Sequence, residues 1–274
     1  MSAGVEHSPL GQESNYPAAY DASLLFPIAR RLGRDALGLD ETALPFVGVD
    51  YWTAYEVSWL NEQGLPQVAI VEFAFPCTSP CLVESKSFKL YLNSLNQQAL
   101  ADAAALQTLL VRDLSAAAGA TVGVRLFAVD DYAIEPAADC VCLDTQNVAC
   151  TVYQPESGLL RVQSETVVSK KYVSHLLRSL CPVTGQPDWG SVYIEYTGAE
   201  ICPESLLRYV VSYRLHQGFH EQCVEHIYRD IMQVCAPLHL SVYARYTRRG
   251  GLDINPLRSS SAEQMLSLGR TARQ

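Results

Sequence analysis

The sequence predicts an α+β protein made of two copies of one unit, each an antiparallel sheet with helices on one face. Three observations carry this. Val49, Tyr51, Thr53, Tyr55 and Val57 form an alternating set, as one face of a strand presents them. Leu106, Leu110 and Leu114 fall four apart, on one face of a helix. A series of short matches then recurs in the same order at a shift of about 120 residues, the mark of an internal repeat.

Residues 1–40 read as an irregular arm, because Gly, Ser, Pro and Tyr are interspersed and no period lasts. The first unit is expected over 41–130. After the strand that begins near Val47, residues 61–66 hold Gly64-Leu65-Pro66 and read as a turn, and 68–75 as the second strand of a hairpin. The helical stretch through Leu106 to Leu114 stops at Gly119, and 121–128 reads as a third strand. A connecting segment is expected over 131–165 and the second unit over 166–274. There Gly185-Gln186-Pro187 answers Gly64-Leu65-Pro66, Glu195-Tyr196 answers Glu72-Phe73, and Glu204-Ser205 answers Glu84-Ser85. Arg229-Asp230-Ile231 likewise answers Arg112-Asp113-Leu114. Val224, Ile227, Ile231 and Val234 share a helix face. Residues 238–247 alternate as the last strand, which leaves His239 opposite the apolar set and exposed.

Composition narrows the function. Of 274 residues, 49% are hydrophobic and 18% charged, enough for a sizeable core, and the net charge of −9 argues against a general nucleic-acid binder. No apolar run reaches membrane-spanning length. Nine cysteines, an odd number, follow a polar start without a signal-peptide core. Reduced thiols in the cytoplasm are expected. Cys140-x-Cys142 with Cys150, and Cys77 with Cys81, lack zinc-finger spacing and a nearby histidine, so small buried hydrophobes account for them better. Cys202, Cys223 and Cys235 read as packing residues. Neither a Gly-x-Gly-x-x-Gly nor a phosphate-loop motif occurs, which argues against a Rossmann domain.

The stretch most suited to chemistry is Cys181-Pro182-Val183-Thr184-Gly185-Gln186-Pro187-Asp188. The prolines stiffen it on both sides, while Gly185 and Gly190 give freedom to turn. A cysteine on such a loop with an acid seven positions on suggests covalent catalysis beside a proton donor. A structural cysteine and an ordinary loop aspartate fit the spacing as well.

Four motifs together turn this balance. They are Glu84-Ser85-Lys86-Ser87-Phe88-Lys89-Leu90-Tyr91, the Cys181–Asp188 stretch, Gly218-Phe219-His220-Glu221, and Arg248-Arg249-Gly250-Gly251-Leu252-Asp253-Ile254-Asn255-Pro256. In this order, over nearly the whole chain, the sequence closely resembles the NADPH-dependent 7-cyano-7-deazaguanine reductases of queuosine biosynthesis, in their long two-unit form. The resemblance implies the tunnelling fold and a β-β-α-α-β unit. It implies reduction of a nitrile to a primary amine, with two NADPH consumed and no metal. Cys181 is the implied nucleophile, forming a thioimide, and Asp188 the implied proton donor, its pKa raised by burial or a neighbouring carboxylate. Val83, Glu84, Ser85, His220 and Glu221 are the implied substrate contacts, with Glu221 the main anchor for the edge of a guanine-like base. Ser85, Lys86, Arg249 and Gly250 are the implied cofactor contacts.

Other readings of these residues stand beside the family's. Glu221 suits a solvated helix start, Glu84 a helix cap, and Lys89 a charged solvent face. Phe219 serves equally as a stacking or a core residue. His7, His175, His216, His226 and His239 carry no implied role. Another purine or pterin enzyme of the same fold, such as a cyclohydrolase, is the alternative, but it would need a metal-ligand cluster absent from the motifs. A purine-binding scaffold would not need a nucleophile. The expected partners are the nitrile substrate, NADPH and a second copy in a homodimer, without nucleic acid or membrane. With the nucleophile in one copy and the cofactor contacts in the other, the site is expected where copies meet.

Overall fold

The computed structural model describes residues 17, 19–132, 139–262 and 270–274. Its contacts divide the chain into two compact units. Unit one comprises 1–42, 49–133 and 248–253; unit two comprises 43–48, 134–247 and 254–274.

Unit one begins with a short strand, β1 (Pro27–Ala29), and a short helix, α1 (Arg31–Leu37). This corrects the expectation of an irregular arm over its described part. The stretch lacks apolar period because buried arginines anchor it. Arg30 pairs with Asp50 at 2.5 Å, and Arg34 donates to the Cys77 carbonyl at 2.7 Å. The expected hairpin follows as β2 (Val47–Leu60) and β3 (Pro66–Pro76), antiparallel from Val49↔Pro76 to Leu60↔Pro66. Then come β4 (Cys81–Val83), paired with β1, and helices α2 (Ser85–Ser94) and α3 (Ala103–Ala118). Strand β5 (Gly123–Phe127) pairs with β3. Val71, Phe73 and Phe75 turn one face of β3 to the helices, where Phe88 of α2 meets Phe73 edge-on at 5.1 Å. Leu106, Leu110 and Leu114 of α3 are fully buried, as their spacing predicts, and Gly119 ends the helix at φ 71°.

Unit two opens with a two-residue strand, β6 (Val141–Cys142), parallel to β7 (Val162–Leu180). A long antiparallel hairpin joins β7 to β8 (Pro187–Ile201). Helices α4 (Pro203–Ser212) and α5 (His220–Cys235) follow, then β9 (His239–Tyr246), paired with β8. Strand β10 (Leu252–Ser259) pairs with β9. Val224, Ile227 and Ile231 of α5 are fully buried, whereas Val234 is exposed.

All eight residues of β9 are buried, so His239 is not exposed as its alternation suggested. The second face is buried too: His239 Nδ1 lies 2.7 Å from Ser260 Oγ, and the Tyr243 ring lies 6.4 Å from that of Tyr193. Burial lowers the His239 pKa. Alternation reports chemical character and not burial: a strand covered on both sides buries its polar set as well, and here His239 Nε2 and Ser241 Oγ have no hydrogen-bond partner among the described residues.

The repeat is visible atom by atom, with one correction. Ser87 Oγ donates to the Glu84 carbonyl at 2.7 Å, and Ser205 Oγ to the Cys202 carbonyl at 2.8 Å. Ser205 therefore answers Ser87, and Cys202 occupies the helix-cap position held by Glu84. The apparent match of Glu204-Ser205 to Glu84-Ser85 is two residues out of step.

Candidate functional site

In unit two the nucleophile candidate sits at the tip of the β7–β8 hairpin. Cys181 follows β7 directly. Its N–H donates to the Gln186 carbonyl at 2.9 Å, and its own carbonyl accepts from Gly185 N–H at 3.0 Å. Gly185 makes this closure possible at φ 66°, a conformation costly for other residues. Gly190 acts differently from the expectation. It lies within β8, and a Cβ there would come within 3.2 Å of the Tyr246 ring, so its service is close approach rather than turning. Asp188, in β8, faces Ser179 across the ladder. Cys181 and Asp188 are both buried, at 8% and 6% exposure.

Two backbone bonds bring the next motif alongside. Leu180 N–H donates to the His216 carbonyl at 2.8 Å, and Gly218 N–H to the Leu180 carbonyl at 3.1 Å. The chain then enters α5 with His220 and Glu221 in its first turn. His220 Nε2 lies 3.4 Å from Asp188 Oδ2. Its ring stacks on Tyr246 at 3.7 Å and 5°. His220 Nδ1 is buried and has no hydrogen-bond partner among the described residues. Glu221 is 4% exposed, which removes the solvated-helix-start reading. The helix dipole favours a carboxylate there. Tyr246, whose place on the apolar face of the last strand gives no sequence signal beyond packing, is brought against His220 by the fold. Behind it, burial pushes the Cys223 thiol up to about 12, as suits a packing residue.

Unit one holds the cationic motif. Glu84 is 1% exposed and caps α2: Oε1 accepts from Lys86 N–H and Oε2 from Ser87 N–H, each at 2.7 Å. Two amides of this helix start, those of Lys86 and Ser87, are thus taken by a carboxylate. Val83 is buried in β4, and Ser85 and Lys86 are half-buried beside it. Arg249 and Leu252 exchange backbone hydrogen bonds around Gly250 at φ 60° and Gly251 at φ 77°, a two-residue turn that only glycine enters easily. A methyl group on Gly250 would stand 3.4 Å from Lys89 Cδ and 3.8 Å from its Nζ. Lys89 is therefore half-buried against this turn and not a solvent-face lysine. Nearby, the Arg248 guanidinium lies over the Tyr55 ring at 5.0 Å, and Tyr55 Oη donates to Asp253 at 2.6 Å.

Two cysteine readings change. Cys142, Asp144 and His175 bring ligand atoms within 4.8 Å of one another, so a histidine does reach this cysteine, from β7. Both Asp144 oxygens already accept hydrogen bonds, from Ser174 Oγ at 2.7 Å and His175 N–H at 2.9 Å, and fasten this segment to β7. Cys202 does more than pack. Burial raises its thiol pKa, but Arg161 Nη2 at 3.2 Å, together with Ser205, outweighs that and lowers it overall. His7 lies outside the described residues. No helix among the described residues is long and apolar enough to cross a membrane.

Comparison with known proteins adds the family. Residues 16–126 match the model of the nitrile reductase, 7-cyano-7-deazaguanine-reductase N-term, and 187–265 that of the QueF-like protein. The chain is 54% identical to the NADPH-dependent 7-cyano-7-deazaguanine reductase of Chromobacterium violaceum, covering 100% of this chain and 99% of that one. It is 55% identical to the reductase of the same name from Cupriavidus metallidurans, covering 98% and 99%. A solved archaeosine synthase QueF-Like in the apo form aligns at 22% identity over 36% of this chain and 99% of that chain, with a TM-score of 0.31, too loose a superposition to bear on the fold.

Proposed function

Because the chain belongs to the NADPH-dependent 7-cyano-7-deazaguanine reductases, we propose that Cys181 and Asp188 carry its chemistry and that His220 and Glu221 hold its substrate. The activity is reduction of the nitrile of 7-cyano-7-deazaguanine to a primary amine. Bound NADPH supplies hydride, one from each of two molecules, to the carbon that was the nitrile.

The chain's own residues make that carbon a better acceptor. Cys181 Sγ bonds the nitrile carbon while Asp188 gives its proton to the nitrogen, and the thiol proton replaces it on the Asp188 carboxylate. The balance is one S–H added across C≡N, giving a thioimide. The observation that carries this is the closed turn, which holds both buried groups at the end of one hairpin. His220, 3.4 Å from Asp188, orients the acid. Its unpartnered Nδ1, costly when buried, gains a partner from a bound purine. Glu221 accepts from the donor edge of the base. Val83, Glu84 and Ser85 contribute substrate contacts as well, Glu84 through the lone pairs its cap leaves over.

Ser85, Lys86, Arg249 and Gly250 are assigned to NADPH, and Lys89 joins them on its packing against Gly250. With the Lys86 and Ser87 amides engaged by Glu84, phosphate recognition falls mainly to these side chains and to the glycine turn. A cytoplasmic homodimer completes the reading. Exposed Val141 and Val167 on β6 and β7 support self-association, which sedimentation velocity tests.

The decisive experiment is mass spectrometry of the protein with the nitrile and without NADPH. An adduct of the nitrile's mass on the Cys181 peptide is expected, and none in Cys181→Ala. Absence of the adduct in the native protein, or its persistence in the variant, overturns the proposal.

A further inference from the structure

The rung of β9 at Tyr246 is finished by side chains. On one side Tyr246 pairs with Gly190 of β8. On the other, the ladder to β10 covers Ser241, Val242 and Tyr243, and stops short of Tyr246. There the Tyr246 N–H donates to Asn255 Oδ1 at 3.2 Å, and its carbonyl accepts from Gln274 Nε2 at 3.2 Å. Gln274 Nε2 also donates to Asn255 Oδ1 at 2.7 Å. Two side-chain amides thus stand in for the missing strand partner.

Gln274 is itself held tightly. It is 4% exposed, and its Oε1 accepts from Arg245 Nε at 2.7 Å and Thr271 N–H at 3.1 Å. The residue before it reaches the opposite member of the rung. Arg273 Nη1 donates to the Gly190 carbonyl at 3.4 Å, the His175 carbonyl at 2.9 Å and Ser191 Oγ at 3.3 Å. Consecutive residues therefore grip both sides of the Gly190–Tyr246 pair.

That pair underlies the site. The Tyr246 ring is the platform for His220, and Asp188 stands two positions before Gly190, on the same strand face. A tilt of Tyr246 moves His220 relative to Asp188, at a separation already of 3.4 Å. We infer that Gln274, working with Asn255 and Arg273, is a positioning residue that sets the His220 ring through Tyr246. The inference rests on the reading of His220 as a substrate contact.

The test uses the full chain with Gln274→Glu. This variant keeps an acceptor for Arg245 but sets a carboxylate oxygen against the Tyr246 carbonyl and Asn255 Oδ1. The KM for the nitrile should rise roughly tenfold while the KM for NADPH holds. Gln274→Met, which keeps length and removes only polarity, should move the same parameter in the same direction by less, and it carries the test if the glutamate variant does not fold. An unchanged nitrile KM overturns the inference. Equal rises in both KM values overturn it too, since they mark a general loss of structure. His220→Ala separates the two layers. If it raises nitrile KM while the Gln274 variants do not, only the positioning role falls; if it leaves nitrile KM untouched, the reading of His220 falls and the inference with it.

Discussion

Asp113 in unit one and Asp230 in unit two occupy the same place in the repeat, and their surroundings differ in sealing. Each accepts from a tyrosine of the preceding helix: Tyr91 Oη to Asp113 at 2.7 Å, Tyr209 Oη to Asp230 at 2.8 Å. Each binds the arginine just before it, Arg112 at 2.8 Å and Arg229 at 3.0 Å through Nε. Each tyrosine's carbonyl accepts from a serine three residues on, Ser94 or Ser212, at 2.6 Å. Unit one adds Tyr20 from outside the repeat, with Arg112 64% exposed. Unit two adds Tyr213 and His226 from within, with Arg229 20% exposed. The frame around the helix pair persists, and divergence gathers at the helix starts and the hairpin tip. There unit one carries Glu84 and cations, and unit two carries Cys181, Asp188 and the His220-Glu221 pair.

The largest test of this division of labour is Cys181→Ala. Turnover should fall by on the order of a thousandfold or more, with NADPH affinity unchanged in a fluorescence titration. A parallel loss of cofactor affinity would break the separation of roles. Next comes the pair of carboxylates. Asp230→Asn should cost about 3 kcal/mol in urea denaturation, and Asp113→Asn about half that, because buried charge-assisted bonds are worth more than those reaching solvent. Equal costs would mean that sealing does not distinguish the units.

His226 sharpens the same contrast through pH. Burial lowers its pKa to about 4, against the pull of Asp230, while the unfolded chain titrates near the ordinary value of 6.5. Between these values the unfolded state takes up a proton that the folded state refuses. Stability is therefore present above pH 6.5 and declines as pH falls toward 4, by about 3 kcal/mol. His226→Gln should flatten that slope in denaturation curves taken across the window. The smallest effect is expected from Lys89→Ala, which should raise the KM for NADPH severalfold to roughly tenfold and leave the nitrile KM in place.

Much of this arrangement was legible in the residues. Strand alternation around Tyr51 and Tyr55, the Leu106–Leu110–Leu114 stripe and the Gly119 stop each rest on local periodicity, which sequence displays directly. The Cys181–Asp188 turn was legible because proline and glycine fix its backbone. Lys89 was not, since its packing depends on Gly250, which lies far along the chain. His239 was misjudged because alternation does not reveal that both faces of β9 are covered. The helix and strand before residue 40 were hidden because buried arginines, and not an apolar stripe, hold them. The two-residue slip in matching Glu204 to Glu84 shows the limit of dipeptide similarity, since the cap fixes the alignment and Cys202 shares no chemistry with glutamate.

The Glu84 cap has a consequence for how the enzyme meets its medium. By taking the Lys86 and Ser87 amides, it leaves attraction of the cofactor's phosphates, on the proposed assignment, to the half-buried side chains of Lys86, Lys89 and Arg249. Such attraction is screened over roughly 8 Å at physiological ionic strength, whereas buried contacts are screened far less. Rising salt should therefore weaken cofactor capture well before it disturbs recognition of the uncharged nitrile. The balance between the two substrates is set partly by the ions around the protein.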